Sequence, residues 1–215
     1  MEHGFSTLIF DLDGTLTDPS VGITRCLNFA LVEHGFPEIP ESVLSTHIGP
    51  PLDETFLNLI GADHVGLIDS LVAKYRERYS SIGYSENEIY PGICATLEVL
   101  ASAGLRLGVC TSKLGSYSQN ILDLFGISEH FSFLDGGDVG IKKHQQLAGL
   151  LDVGVIDSAA VMIGDRNVDI EAAHTNGLRS IGVLWGFGDI DEIETAGPTY
   201  MVDSVDALAR LVLES

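Results

Sequence analysis

Several polar residues stand directly after short apolar runs of the sequence, which is where the ligands of an open parallel sheet bind. Because the carboxyl ends of parallel strands meet at one edge, we expect these side chains to converge there. Carboxylates suit a metal ion or an acid–base role, while hydroxyl and ammonium groups suit the oxygen atoms of an anion. Ordered along the chain, the candidates are Asp11 and Asp13; Thr111, Ser112 and Lys113; and Asp165 with Asp169 one helical turn later.

Converging carboxylates need a positive charge among them. Two unit charges ~4 Å apart repel by about 4 kcal/mol at an effective dielectric constant of about 20, and the chain carries a formal net charge of -20. The predicted ligands are oxygen atoms without histidine or cysteine, which favours a hard divalent cation. Mg²⁺ fits best because it accepts a few carboxylates and keeps positions for water or a phosphate oxygen. The ion also offers a docking point for an anionic substrate.

The same residue types fit phosphoryl transfer. Thr111, the backbone N–H groups after it and one lysine of "GIKKHQQ" (140–146) complete a cradle for phosphate. A carboxylate aimed at phosphorus is a nucleophile that forms an aspartyl phosphate and divides one difficult hydrolysis into two easier steps. A second carboxyl two residues along the chain is placed to protonate the leaving oxygen and then to activate water.

The elements that position these residues alternate between strand and helix. This alternation predicts an α/β fold with a parallel sheet and helices on both of its faces. Gly104, Gly126 and Gly177 stand where the terminal glycine of a helix belongs. The predicted strands are 7–10, 105–110, 131–134, 159–164, 180–184 and 199–202, and the predicted helices are 92–103, 116–124, 143–151, 168–175, 189–195 and 205–213.

One region breaks the alternation. From Val21 to Glu88 the sequence shows amphipathic helical patterns and no convincing strand. The edges of this region are rich in turn residues, with Asp18-Pro19 on entry and Tyr90-Pro91-Gly92 on return. We therefore predict an α/β core formed by residues 1–17 and 89–215, interrupted by an all-helical subdomain at 18–88.

Charge and composition limit the partners of the chain. With 31 acidic and 11 basic residues, it repels nucleic acids and anionic lipid surfaces. No apolar run is long enough for a bilayer, and the first residues carry an acidic side chain where a secretory signal carries basic ones, so we expect a cytoplasmic protein. Cys26, Cys94 and Cys110 lack a C-x-x-C spacing and are expected to be buried thiols. The oligomeric state stays open between monomer and homodimer.

Four motifs in combination resemble those of the haloacid dehalogenase-like phosphohydrolases: "DLDGTLTD", "VCTSK", the lysine of "GIKKHQQ" and "MIGDRNVDI". The resemblance covers essentially the whole chain. The C-terminal part of the chain looks like the branch of the family that contains phosphoglycolate phosphatases. It implies a Rossmann-like core with residues 18–88 as a helical cap. The implied activity is Mg²⁺-dependent hydrolysis of a small phosphorylated metabolite such as phosphoglycolate. Alternatives are a 5′-nucleotidase or a phosphosugar phosphatase or mutase on the same scaffold, and, in a different class, a signalling module phosphorylated on aspartate.

The resemblance also implies roles for individual residues. Asp11 corresponds to the nucleophile, Asp13 to the general acid and base, and Thr111 to the hydroxyl that binds phosphate. Ser112 and Lys113 adjoin Thr111 as substrate-binding candidates, and Lys113 is equally well interpreted as a solvated surface lysine. Asp13 favours phosphate chemistry over dehalogenation.

The implied metal ligands come from the two acidic motifs. Asp11, the backbone carbonyl of Asp13 and Asp165 correspond to the residues that hold Mg²⁺, and Asp169 steadies the site from beside it.

Two lysines compete for the phosphate-facing position. The spacing to Asp165 resembles the usual spacing of the family for Lys142, whereas Lys143 shares a helical face with three leucines. The family usually has apolar residues just after this lysine, but this chain has Gln145 and Gln146. We therefore expect the local helix to be shifted or irregular.

Overall fold

The computed structural model describes residues 4–137 and 140–214. Within them the chain forms two compact units, which we describe separately. The first unit comprises the residues up to Asp18 together with those from Ile89 onward. The second comprises Pro19–Glu88.

The first unit is built on a parallel sheet of six strands in the order β5-β4-β1-β6-β7-β8. Strand β1 lies between β4 and β6, where Phe10 pairs with Val109 on one side and Ile163 on the other. All four residues of β1 are buried, as expected for an apolar strand covered on both faces. The strands are β1 (Thr7–Phe10), β4 (Arg106–Leu114), β5 (Phe131–Gly137), β6 (Val161–Gly164), β7 (Arg179–Val183) and β8 (Tyr200–Val202).

Helices cover both faces of this sheet, so the predicted α/β class is confirmed. Helices α7, α8 and α9 pack side by side, and α5 packs against α10. Between the sheet and α7 and α8 lies a core of apolar side chains that includes Ile9, Met162 and Leu147. Gly104, Gly126 and Gly177 have φ values of 87°, 65° and 67° just after helices, as predicted. The helices are α5 (Ile93–Ser102), α6 (Gly115–Leu124), α7 (Lys143–Asp152), α8 (Asn167–Thr175), α9 (Ile190–Ala196) and α10 (Val205–Glu214).

Two strands extend further than predicted. Strand β4 continues through Thr111 to Leu114, and β5 continues to Gly137. The pairing between them shifts its register between Thr111 and Leu114. Apolar runs mark only the buried part of a strand, so polar residues that stay paired beyond it leave no such signal.

The second unit is mainly helical. Its helices pack around aromatic and aliphatic side chains, among them Phe56 and the stacked pair Tyr75 and Tyr79, whose ring centroids are 5.4 Å apart. Glu86 accepts hydrogen bonds from both Arg25 and Arg78. The helices are α1 (Ser20–Glu33), α2 (Glu41–Leu44), α3 (Leu52–Ile60) and α4 (Ile68–Ser81); short 3₁₀ segments span Ser45–His47, Ala62–Leu67 and Gly83–Ser85 here, and Ser128–His130 in the first unit.

Two very short strands form a separate sheet at the points where the chain passes between the units. They are β2 (Thr17–Asp18) and β3 (Glu88–Ile89). A strand of two residues is too short to show a period in the sequence, and neither was predicted.

None of the three cysteines, all of which lie in the described ranges, forms a disulfide, but one differs from expectation. Cys26 and Cys110 are buried, whereas Cys94 is exposed. Cys94 lies on α5 outside the face that Ile93, Leu97 and Leu100 bury, so the helical period turns it outward. None of the helices in the described ranges combines the length and the apolar character that a bilayer crossing requires.

Candidate active site

Three neighbouring strands deliver the predicted residues to one edge of the sheet. Asp11 follows β1, Thr111 lies near the end of β4, and Asp165 follows β6. The Asp11 N–H donates to the carbonyl of Ile163 at 2.9 Å, so the β1 end stays paired with β6 as far as the first acidic residue. The strand order therefore explains why residues far apart in the sequence meet here.

Three carboxylates form a buried cluster at this edge. One oxygen atom each of Asp11, Asp165 and Asp169 lies within 4.8 Å of the others. Asp165 and Asp169 are fully buried, and Asp11 is 8% exposed. Burial, and next to it the charges of Asp169 and Asp11, raises the pKa of Asp165. Burial likewise raises the pKa of Asp169, although Lys143 opposes the shift. The cluster is therefore short of positive charge.

Asp165 is held by groups from two loops. Thr15 Oγ1 donates to its Oδ1 at 3.0 Å, and the N–H of Phe187 donates to its Oδ2 at 2.8 Å. The indole of Trp185 in turn donates to the carbonyl of Thr15 at 3.0 Å. Gly14 has a φ of 83°, and a Cβ there would overlap the Asp165 carboxylate. Glycine is thus required for both the conformation and the close approach.

Asp169 has both of its oxygen atoms engaged. Its Oδ1 contacts the ammonium of Lys143, and its Oδ2 accepts a hydrogen bond from the N–H of Arg166 at 3.1 Å. Asp169 lies in the first turn of α8, where backbone N–H groups lack partners within the helix. This geometry fits a residue that steadies Lys143 better than one that binds a metal directly.

Lys143, and not Lys142, lies in the carboxylate cluster. The Lys143 side chain is 4% exposed, and its Nζ lies 3.0 Å from Asp11 Oδ1 and also contacts Asp169. Burial alone would lower the pKa of Lys143, but Asp11 and Asp169 outweigh it and raise the pKa. Lys142 is exposed at the start of α7, where its N–H donates to Gln145 Oε1 at 2.9 Å.

The expected irregularity after Lys143 is not found. Helix α7 is continuous, and Gln146 takes a buried position of the kind that the resembled family usually fills with an apolar residue. Its Nε2 donates to Asp135 Oδ1 at 2.8 Å and to the carbonyl of Thr111 at 3.1 Å. A polar side chain is therefore accommodated because Asp135, at the end of β5, supplies an acceptor.

We expect Gln146→Leu to lower the free energy of unfolding by about 1–3 kcal/mol, because it leaves acceptors at Asp135 and Thr111 without this donor. Urea denaturation of the variant measures the loss. Gln145→Leu is the matched control, since Gln145 is exposed. Equal stability of the two variants would contradict the assignment of a structural role to the Gln146 amide.

Asp13 and Lys113 form an ion pair next to the cluster. Lys113 Nζ lies 2.7 Å from Asp13 Oδ2. Burial raises the pKa of Asp13, and the charge of Lys113 only partly offsets this. The Thr111 hydroxyl oxygen accepts a hydrogen bond from the N–H of Lys113 at 3.3 Å, so its own O–H is available as a donor. Ser112 is exposed.

The sequence did not reveal the groups that hold Asp165. Phe187 contributes a backbone N–H, which any residue type could supply, so the sequence carries no signal for this contact. Thr15 is part of the first motif, so its place in "DLDGTLTD" was the one available signal. The hydrogen bond from the Trp185 indole to the Thr15 carbonyl connects residues that only the fold brings together.

The donor set fits a hard divalent cation. Asp11 Oδ1 is buried and accepts no hydrogen bond from the described residues. Asp11 and Asp165 offer carboxylate oxygen atoms alone, which is the ligand chemistry that Mg²⁺ prefers. The raised pKa of Asp165 agrees with this, because a nearby cation would offset the burial and the negative charges that raise it.

A parallel α/β sheet that gathers carboxylates, a hydroxyl and a buried lysine at its carboxyl edge defines a hydrolase of the phosphoryl-transfer class. The chain belongs to the haloacid dehalogenase-like hydrolases, whose sequence pattern matches residues 8–183. The protein is accordingly a phosphoric monoester hydrolase.

The chain is similar to a nucleotidase and to two proteins named as phosphatases. A 5′-nucleotidase of Pseudomonas aeruginosa is 40% identical over 98% of this chain and 96% of its own length. A phosphoglycolate phosphatase of Yersinia pestis is 34% identical over 88% of this chain and 85% of its own. The crystal structure of a predicted phosphatase from Clostridium acetobutylicum superposes with a TM-score of 0.91 at 35% identity, covering 98% of this chain and 99% of that one.

Proposed function

We propose that the protein is a Mg²⁺-dependent phosphatase that hydrolyses a small phosphomonoester through a covalent phosphate on Asp11. The observation that carries this proposal is the state of the Asp11 carboxylate. Its Oδ1 is buried, accepts no hydrogen bond from the described residues and lies 3.0 Å from the buried Lys143 ammonium. A carboxylate held in this way by an opposite charge is oriented to attack a bound electrophile.

In the first step, an oxygen of Asp11 forms a bond to phosphorus, and the bond from phosphorus to the ester oxygen breaks. The Asp13 carboxyl gives its proton to the departing oxygen, so that the alcohol leaves neutral. Lys143 offsets charge on the transferring group, and the Thr111 hydroxyl donates to one of its oxygen atoms. The raised pKa of Asp13 suits it to hold the proton before this step.

In the second step, water attacks phosphorus, and the bond from phosphorus to Asp11 breaks. The Asp13 carboxylate takes a proton from that water, which restores both residues and releases inorganic phosphate. Mg²⁺, held by Asp11, the Asp13 backbone carbonyl and Asp165, would neutralise phosphate oxygens throughout. Asp169 keeps Lys143 in place through their contact.

The helical segment 18–88 is assigned in this proposal as a cap on the core formed by residues 1–17 and 89–215. The compactness of Pro19–Glu88 as a unit of its own supports this assignment. In this proposal the protein is cytoplasmic, and its net charge of -20 disfavours nucleic acids and anionic membranes as partners.

The substrate is a small phosphorylated metabolite, and two candidates have specific support. Phosphoglycolate is favoured by the resemblance of the C-terminal part and by the relative that carries this name. A nucleoside 5′-monophosphate is favoured by the relative that is 40% identical over nearly the whole chain. Phosphate release from a panel of both classes, with and without Mg²⁺, distinguishes them.

The same experiment tests the mechanism. Multiple turnovers with Mg²⁺ and none with a chelator are expected. A stable phosphoprotein formed stoichiometrically without turnover would instead support the signalling module. Transfer of phosphate to a sugar hydroxyl rather than to water would support a mutase.

We expect Mg²⁺ to raise the melting temperature more at pH 8 than at pH 6. Because the pKa of Asp165 is raised in the folded state, the metal-free protein loses stability as the pH rises through that pKa. A bound cation removes this loss. Mg²⁺ at a concentration of about 100 times its Kd adds about 2.7 kcal/mol to the free energy of unfolding. For a chain of this size, this corresponds to a rise in melting temperature of about 5–10 °C.

Differential scanning fluorimetry with and without Mg²⁺ measures this difference. Asp165→Asn should abolish the response, while Asp152→Asn, at an exposed position, should keep it. If Mg²⁺ raised the melting temperature equally at both pH values, that result would argue against a cation at the carboxylate cluster.

A further inference from the structure

We propose that Lys113 is a positioning residue for Asp13 and not a ligand of the substrate. It holds Asp13 Oδ2, so that Asp13 Oδ1 is the atom that exchanges a proton with the ester oxygen and with water. This inference rests on the proposed function, because it assigns a role within the steps that Asp13 carries out.

The geometry of the pair supports this role. Lys113 Nζ lies 2.7 Å from Asp13 Oδ2, and the two side chains are 8% and 18% exposed. Solvated lysines move among many rotamers, whereas the side chain of Lys113 is largely withdrawn from water and pairs with a carboxylate oxygen. The other oxygen of Asp13 is buried and accepts no hydrogen bond from the described residues. The carboxylate therefore has one oxygen fixed and one oxygen open to a reacting partner.

The backbone of β4 explains how Lys113 reaches Asp13. Alternate residues of a strand point to the same side, so Thr111 and Lys113 share a side that Ser112 does not. The burial agrees, since Thr111 is 2% exposed while Ser112 is exposed. Lys113 lies within the stretch from Thr111 to Leu114 over which the register shifts. Irregular pairing of this kind commonly redirects side chains next to active sites.

Lys113 also contacts two groups that act in the proposed reaction, the Thr111 hydroxyl and the Asp13 carboxylate. Its N–H donates to the Thr111 hydroxyl, and its ammonium pairs with Asp13. One residue thereby fixes the distance between the group proposed to bind phosphate and the group proposed to move the proton. Proton transfer in a transition state depends strongly on such placement.

Lys113→Met and Lys113→Arg, compared with the exposed Lys142→Met as control, test this role. Two substrates are used: p-nitrophenyl phosphate, whose leaving group needs no proton, and whichever of phosphoglycolate and adenosine 5′-monophosphate the wild type hydrolyses faster. Rapid-quench kinetics separates formation of the phosphoenzyme from its hydrolysis.

With p-nitrophenyl phosphate, Lys113→Met should form the phosphoenzyme at a rate within about 3-fold of wild type but hydrolyse it about 10²-fold more slowly, giving a burst of nitrophenol. With the alkyl phosphate, phosphoenzyme formation should also fall by about 10²-fold. Lys113→Arg should recover part of both losses, because a guanidinium can still pair with Asp13.

Two results would overturn the inference. A raised KM with kcat unchanged for both substrates would make Lys113 a substrate ligand. An equal loss in both steps with both substrates would make its role structural, and a melting curve would show any loss of folding. Failure of the proposed function itself is distinguishable, since wild type would then either form no covalent phosphate or form one that it does not hydrolyse.

Discussion

Asp11→Asn is expected to lower kcat for p-nitrophenyl phosphate by at least about 10⁴-fold, as is typical when a covalent nucleophile is removed. The amide has nearly the shape of the carboxylate but does not attack phosphorus. It also takes one negative charge away from Lys143, which keeps its contact with Asp169. The loss of activity should therefore occur in a folded protein.

Steady-state phosphate release measures this effect, and circular dichroism checks the fold. Asp152→Asn is the matched control, since it makes the same chemical change at an exposed position at the end of α7. No covalent phosphate should be trapped on Asp11→Asn. If that variant retained even about a tenth of the wild-type kcat, Asp11 would not be the nucleophile.

Lys143→Met is expected to lower the free energy of unfolding by about 3–5 kcal/mol, because it leaves buried carboxylates without their cation. Asp11 and Asp169 both face the Lys143 ammonium, which is 4% exposed. The loss should be larger at high pH, where Asp169, whose pKa is raised by burial, is forced to ionise. Excess Mg²⁺ should restore part of the stability, since it supplies positive charge to the same cluster.

Urea denaturation with and without Mg²⁺ measures this loss, and Lys142→Met is the control. Lys142 is exposed and contacts the next helix turn mainly through its backbone, so its substitution should change stability by less than about 0.5 kcal/mol. Activity should fall by at least about 10²-fold in Lys143→Met and remain near wild type in Lys142→Met. Similar behaviour of the two variants would contradict the role given to Lys143.

The sequence was sufficient to predict the elements that bury apolar side chains. Strand β1 and helix α5 carry clear periods, and their bounds differ from prediction by at most one residue at each end. The strand order could not be predicted in the same way, because residue types do not state which strands are neighbours. The two-residue strands β2 and β3 were too short to be found.

Some residues of the candidate site could likewise be predicted from the sequence, and others could not. Asp11, Asp165 and Thr111 could be predicted because a polar residue at the end of an apolar strand is visible as a change of type. The choice between Lys142 and Lys143 depended on the start and rotation of α7, which a spacing does not fix. Gln146 was misinterpreted because its acceptor, Asp135, belongs to another strand.

The central place of β1 has a consequence for how the protein is made on the ribosome. Thr7 pairs with Arg106, and Leu8 pairs with Val161, so both neighbours of this apolar strand are synthesised long after it. Contacts of such large sequence separation form slowly, and an unpaired apolar strand is prone to aggregation in the meantime. The helical segment after β1 is translated during this delay, so β1 lacks both of its native neighbours until β4, and then β6, has been synthesised.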